Sequence, residues 1–367
     1  MTDTGAHGML SRRTLLVRGG QGLGLLAASG VLSACGGGFS ASSSSGGGGG
    51  GGGGTTLTVV SYGGDYQKAQ AKTMWAPYAA KNGITVKEDG PTDNAKIKAQ
   101  AESGNPSWDI VVVGNDFGSE SDAQWLEPID YSVVDKSSIV DGYAQTYRVA
   151  ADIEGTVLAY RSDKTGGAAP TPWADFFDLK KYPGKRTAWK SVGGGIFEIA
   201  LLADGVAPAD LYPIDVDRAL KKLSTIKDQL IWWETGAQAQ QYLESGEAVM
   251  GMVWIARAVL SAANAPITIA WDSWLSQEAY WVVVKGSRNK AEAMKLIAYM
   301  TSAGPTAEFT KYQPYGPVSK AAQDKVDPSA KENLPTSHLD TQVKVNDEWW
   351  GENRDSVNDR FQQWLLS

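Results

Sequence analysis

The stretch "WDIVVVGNDF" runs from Trp108 to Phe117, and its apolar run stops at Gly114-Asn115. A strand with one wet face alternates apolar and polar residues. An unbroken run this short reads instead as a strand buried on both faces, as in a parallel sheet covered by helices. Upstream, "TTLTVVSYGGDY" gives a strand over Leu57–Ser61 that ends in a glycine loop. A helix pattern follows over Gln67–Lys81, with Ala71, Met74, Trp75 and Tyr78 as its apolar positions. "NGITVKEDG" is a turn and strand, and residues 92–103 read as a second helix. Strand, helix, strand, helix, strand implies right-handed crossovers and a parallel sheet.

The same alternation returns downstream. "EGTVLAYRSD" (154–163) reads as a strand and "TPWADFFDLKKYPGK" as a helix and turn. "RTAWKSVGGG" is a strand and glycine loop that opens the helix "IFEIALLADG". Residues 215–228 and 236–245 read as helices. "EAVMGMVWIARAVLSAA" (247–263) is a strand running into a helix, and "YWVVVKGS" (280–287) is a further strand. "NKAEAMKLIAYMTS" is an amphipathic helix capped near Asn289. The C-terminal "EWWGENRDSVNDRFQQWL" is another, with Trp350, Val357, Phe361 and Trp364 packing inward. No Gly/Pro linker separates the two α/β units, so they read as lobes joined by crossing strands. Each lobe is expected to be a mainly parallel sheet flanked by helices. Ligands in such sheets bind beyond the carboxyl ends of strands. Those ends are "SYGGDY", "VGNDFG", "KSVGGG", "VWIARA" and "WLSQEAYW", which would line one cleft between the lobes.

Before all this stands "SRRTLLVRGGQGLGLLAASGVLSAC", Ser11 to Cys35. Between Arg18 and Cys35 the segment is too short, and with five glycines too weakly apolar, for a span of about 20 apolar residues. It fits a signal peptide over 1–34. Ser11-Arg12-Arg13-Thr14-Leu15-Leu16 resembles the twin-arginine export motif. Leu32-Ser33-Ala34-Cys35 resembles a bacterial lipobox, which implies a lipidated Cys35 at the new N-terminus. Lipid chains then hold the protein at a membrane, each buried methylene contributing about 0.8 kcal/mol. Residues 36–54 are almost all Gly and Ser and read as a flexible tether. The expected location is extracytoplasmic, anchored to the cell membrane.

Formal net charge is −7, and the leader is basic, so the rest of the chain is more acidic still. That argues against nucleic acid as a partner. Cys35 is the only cysteine, and His338 the only histidine beyond the leader. A Ser-His-Asp triad needs a histidine base, and zinc sites usually use several His or Cys. The chain reads as a non-enzyme with no cofactor and no metal. The fourteen tryptophans are assigned mainly to the core. The neighbours Trp232 and Trp233 cannot both face one pocket from a strand, because alternate residues point opposite ways.

The order of "WDIVVVGNDF", "GEAVMGMVWIARA", "AYWVVVKGSRNKAEAMKLIAYM", "YQPYGPVS" and "NDEWWGENRDSVNDRFQQWL" resembles the solute-binding proteins of bacterial ABC importers, and within them the spermidine/putrescine type. The resemblance covers residues 55 to 367. It implies a two-lobed, periplasmic-binding-protein-like (type II) fold that closes on its ligand by hinge motion. It implies lobes of 55–154 plus 278–320 and of 155–277 plus 321–367. It also implies a monomer that delivers a small solute to membrane permease subunits. Polyamine sites of that family hold the ammonium groups with acids and sandwich the methylene chain between aromatics. On that pattern Tyr62, Trp254 and Tyr315 are the aromatic positions. Asp65, Asn115, Asp116 and Glu278 lie in the matching loops.

Two departures stand against a plain polyamine site. The loop that carries an acid in polyamine binders is Gly193-Gly194-Gly195 here, and Gln277 replaces an expected aromatic, with Glu278 beside it. Arg257 follows Trp254 by one helical turn. A glycine loop at a helix N-terminus suits an anion, and an arginine suits a carboxylate. A zwitterionic or acidic solute held by Arg257 and the loop around Gly194 is therefore the alternative ligand. Structural pairing of Arg257 with Asp116, Glu198 or Glu278 is the competing fate of that side chain. An oligosaccharide receptor and a ligand sensor are further alternatives. Ferric-ion binding is disfavoured because Tyr312 and Tyr315 are not adjacent.

Overall fold

The structure, a computed structural model, describes residues 54–166 and 168–367. The expected signal peptide, Cys35 and nearly all of the tether lie outside the described residues. Ten strands form one sheet: β1 (Thr56–Val60), β2 (Thr85–Asp89), β3 (Ile110–Val113), β4 (Leu126–Glu127), β5 (Val149–Arg161), β6 (Lys185–Trp189), β7 (Leu230–Trp233), β8 (Ala248–Trp254), β9 (Ile267–Val284) and β10 (Val343–Lys344). Their order is β2-β1-β3-β9-β5-β8-β6-β7, with β4 and β10 pairing β9 off this path.

Parallel pairing forms two blocks, β2-β1-β3 and β8-β6-β7, and recurs only where the short β10 pairs with β9. Between them β9 and β5 run antiparallel to each other, and each runs antiparallel to its neighbouring block. These two strands are the crossings. They are longer than the sequence pattern indicates, because alternation vanishes where both faces are covered: every residue from Trp274 to Val284 is buried. So "WLSQEAYW", expected as a cleft loop, lies inside β9. β5 begins at Val149 rather than at Glu154. "LIWW" forms β7, a strand the sequence reading passes over. Trp232 packs edge-on to Phe361 and Trp364, while Trp233 stacks on Trp189 from the other face.

The helix expected over 67–81 starts at Gly64 and runs as Gly64–Gln70, a wide-wound Ala71–Trp75 and Ala76–Asn82. Pro77 has no N–H to give, and the wide turn before it accommodates that gap. Asn289 precedes the helix Lys290–Met300 but does not cap it with its side chain. Its amide donates instead to Thr56 O and Asp109, tying β1 to β3.

Two apolar cores flank the crossing strands. One gathers Trp75, Ile110, Val112, Trp281 and Leu296, and the other Phe176, Phe197, Leu223, Met250 and Trp350. Each fully buried large apolar side chain contributes about 1.5–3 kcal/mol. In the second core Arg186 is fully buried without a carboxylate. Its guanidinium donates to the carbonyls of Phe176, Tyr182 and Gly184 at 2.7–2.8 Å, and burial lowers its pKa to about 10. Arg186→Met would leave those carbonyls without donors and should lower the unfolding free energy by about 3 kcal/mol in urea melts. A loss below about 1 kcal/mol would mean that solvent reaches the carbonyls and that the arginine is not a structural tie.

Candidate functional site

A cavity of about 510 Å³ opens where the crossing strands meet the loops of both blocks. After β1 the chain turns through Gly63 and Gly64, at φ 84° and 60°, a region open to glycine. Tyr62 lines the cavity from this turn. The helix starts at once, so Tyr66 rather than Asp65 points inward. Asp65 lies on the outer face, 89% exposed and paired with Lys68 at 3.1 Å. It is not part of the site that the sequence suggested for it.

Behind β3, Asn115 and Asp116 line the wall together with Gly114. Asn115 donates to Asp347 Oδ1 at 3.0 Å. Asp116 stands 4.0 Å from Arg354 Nε, near but not hydrogen-bonded. From the crossing strands come Glu154, Gln277 and Glu278. Gln277 stands opposite Glu154, and Glu278 opposite Ile153. Opposed residues share a face, so Glu278 is out of register by one. Its carboxylate turns to Tyr280, which donates to it at 3.3 Å, while its residue still borders the cavity.

The opposite wall is tryptophan. Trp189 and Trp233 stack with centroids 5.5 Å apart, and Trp254 meets both edge-on at 5.2 and 4.9 Å. Trp189 and Trp254 face the cavity. In the glycine loop one N–H and one carbonyl are already engaged. Gly193 N–H donates to Ser191 Oγ, and Gly193 O accepts from Gln277 Nε2. The loop lets the chain pass close to its neighbours: a β-carbon at Gly194 would sit 2.8 Å from the Trp189 ring, and one at Gly195 2.1 Å from Leu275. Gly193, not Gly194, lines the cavity.

Two arginines stand at this site with few partners. Arg257 is half-buried on the helix Ile255–Ala262, against Gly236, and is not in the wall itself. The structural pairs weighed for it do not form. Asp116 stands nearest Arg354, Glu198 accepts from Tyr212 and Trp350, and Glu278 accepts from Tyr280. Burial raises Tyr315, Glu154 and Asp152 add to that, and the Arg257 charge pulls back. Arg354 lies in the wall, and its buried Nε has no hydrogen-bond partner among the described residues. Arg354 escapes the sequence reading, though a signal exists. It falls between Trp350 and Val357 on the apolar stripe of the C-terminal helix, where a charge needs a reason. Tyr66, Glu154 and Trp189 are also missed, since neither strand nor helix period marks them as cavity residues.

Glu154 and Glu278 line the floor, and Asp152 is buried two residues before Glu154 on β5. Burial raises Asp152 to about 7, against a hydrogen bond from Tyr66 that lowers it. Burial and the Asp152 charge hold Glu154 well above the usual carboxylate range, and burial brings Glu278 to about 7. Among the described residues no group of three His, Cys, Asp or Glu side chains is arranged to hold a metal. His338 lies elsewhere, stacked on Trp271 at 4.1 Å. Tyr312 is an exposed residue under Lys72.

Two α/β blocks hinged on crossing strands, with an aromatic and charged cavity between them, define a solute receptor. The chain belongs to the bacterial extracellular solute-binding proteins, whose family model matches residues 73–336. Members of this kind serve ABC transporters as binding components and are not enzymes. The chain is 35% identical over 324 residues to the gamma-aminobutyric acid-binding protein of Pseudomonas aeruginosa, covering 84% of this chain and 90% of that one. It is 37% identical to a solved GABA receptor, with TM-score 0.80 over 85% of this chain and 98% of the other. It is 35% identical to AgtB of A. tumefaciens, solved with agropinic acid, with TM-score 0.70 over 85% and 99%.

Structural and ligand-facing arginines should separate by stability. Arg148 is 2% exposed, donates to Asp347 at 2.6 Å and to the carbonyls of Asn115 and Phe117, and lies over the Tyr280 ring. Arg148→Ala should destabilise the ligand-free protein by about 3–5 kcal/mol. Arg354→Ala should cost less than about 1 kcal/mol, since no hydrogen bond is lost. Chemical denaturation of both variants checks this, and equal losses would place Arg354 among the structural ties.

Proposed function

We propose that this receptor captures a small zwitterion of the ω-amino-acid type, gamma-aminobutyric acid being the first candidate. The carrying observation is the division of charge around one cavity. Under-partnered Arg257 and Arg354 stand on the side of the tryptophan wall. Glu154 stands on the floor with Asp152 buried behind it, and neither forms an ion pair among the described residues. An arginine binds a carboxylate through a planar fork, and an ammonium prefers acids and aromatic faces such as Tyr62, Tyr315 and Trp254. The relatives named for gamma-aminobutyric acid support this reading over the spermidine/putrescine one. So does the physics, because a cation in the wall opposes a ligand that is positive at both ends. We retain the lobe division of 55–154 plus 278–320 and 155–277 plus 321–367, closing on ligand as a monomer. Such receptors hand a small solute to an ABC permease. Twin-arginine export and lipid anchoring through Cys35 complete the proposal.

Titration calorimetry on the domain from Thr55 should give a defined Kd for gamma-aminobutyric acid and little heat from putrescine or spermidine. Saturation at 100 times Kd should add about 2.7 kcal/mol of stability. Arg354→Ala and Arg257→Ala should each weaken binding by at least tenfold. Tight putrescine binding that both variants leave unchanged would return the site to the polyamine class. For the anchor, Cys35→Ser in the full chain should move the protein from the membrane fraction to the soluble fraction. Unchanged partition would exclude the lipid.

A further inference from the structure

Glu154 lines the cavity floor, a second carboxylate, Asp152, is buried behind it, and neither has a paired cation among the described residues. Asp152 and Glu154 lie two apart on β5, so both project to the same face. Asp152 is 1% exposed. Its Oδ2 accepts from Tyr66 Oη at 2.5 Å, and its Oδ1 has no partner among the described residues. Glu154 lines the cavity together with Tyr315.

The charged and titratable groups around the pair come from every packed element. Tyr62 and Tyr66 follow β1, Asp116 follows β3, and Tyr315 precedes Gly316. Glu278 comes from β9 with its carboxylate turned to Tyr280. Arg354 lies nearest Asp116, and Arg257 acts on Tyr315. Among the described residues neither arginine forms an ion pair with Asp152 or Glu154. Two like charges enclosed together without a counter-ion do not both ionise readily.

We propose that Asp152 and Glu154 retain one proton between them in the ligand-free protein at neutral pH, and that an ammonium entering against Glu154 displaces it to solvent. Capture of the ligand is then coupled to proton release. The proposal rests on the zwitterion reading only for the identity of the ammonium. The ammonium takes the position that the proton had neutralised, so one positive charge enters and one leaves. Burial raises the pKa of both groups, which agrees with this. The sign follows from linkage: the binding-competent floor is the deprotonated one. Affinity is full above the ligand-free pKa and falls as pH drops through it, by up to about tenfold per unit. Gamma-aminobutyric acid itself keeps both charges across this range, as an acid near about 4 and an amine near about 10.

The test has two arms. In the ligand-free protein, infrared titration from about pH 5.5 to 9 should show one carboxylic acid that ionises near neutrality. That signal should vanish in Asp152→Asn and in Glu154→Gln, two variants so that misfolding of one leaves the other. A wild-type protein with no such acid overturns the proposal, whatever the ligand. In the second arm, gamma-aminobutyric acid is titrated in buffers of different ionisation heat. Close to one proton should be released per ligand bound near pH 6, and Kd should weaken by several-fold to tenfold from pH 7 to 6. Proton-free binding with one Kd across that range overturns the proposal. If this ligand fails to bind at any pH while the neutral-range acid is present, the ligand assignment falls and the retained proton stands on the first arm.

Discussion

The antiparallel contact between β5 and β9 is what the molecule depends on. It runs from Val149 opposite Trp281 to Arg161 opposite Ile267, with register shifts that leave residues 271–274 outside the ladder. One parallel block hydrogen-bonds to β9 and the other to β5. Any relative motion of the blocks is therefore a flexing of these two strands, since their ladder cannot slip by one residue without reversing every side chain. The same ladder delivers Glu154 and Gln277 together to the cavity. At Gly155 a β-carbon would meet Leu275 O at 2.1 Å, so the closeness of the strands there requires glycine.

Buried charge divides into two kinds. Arg148 and Arg186 have their donors taken up by carbonyls or a carboxylate, and such groups hold a fold in one arrangement. Arg354 and Asp152 each keep a buried polar atom without a partner, and Arg257 and Glu154 form no ion pair among the described residues. An enclosed polar group without a partner costs free energy. A fold retains that cost where a ligand later supplies the missing partner. The distinction is one of hydrogen-bond satisfaction, and Arg354 and Glu278, each with an unpartnered buried atom, line the cavity.

The C-terminal helix Asp347–Leu366 joins these parts. At its start Asp347 meets Arg148 and Asn115, on the side of β3. One turn on, Trp350 donates to buried Glu198, on the side of β6. A further turn brings Arg354 into the cavity wall. One helix thus touches both blocks and the site, with spacing set by 3.6 residues per turn.

Much of the fold was legible in the sequence. Apolar runs and glycine loops are local signals, so β1, β3, β6, β8 and most helices stand near their expected places. The acidic composition and the scarcity of histidine and cysteine fit a receptor of the family to which the chain belongs. Of the residues singled out for the site, Tyr62, Asn115, Asp116, Trp254, Glu278 and Tyr315 line the cavity, while Asp65, Gly194 and Arg257 do not. What the sequence could not determine is register and facing. Glu278 or Gln277 toward the cavity is a choice of one residue in a strand buried on both faces, where no alternation survives to be read. Arg354 over Arg257 in the wall depends on a helix more than ninety residues downstream docking on both blocks. Periodicity is a property of neighbours in the chain, whereas hydrogen-bond satisfaction is a property of neighbours in space. The class of protein followed from the first, and the charge pattern of its cavity only from the second.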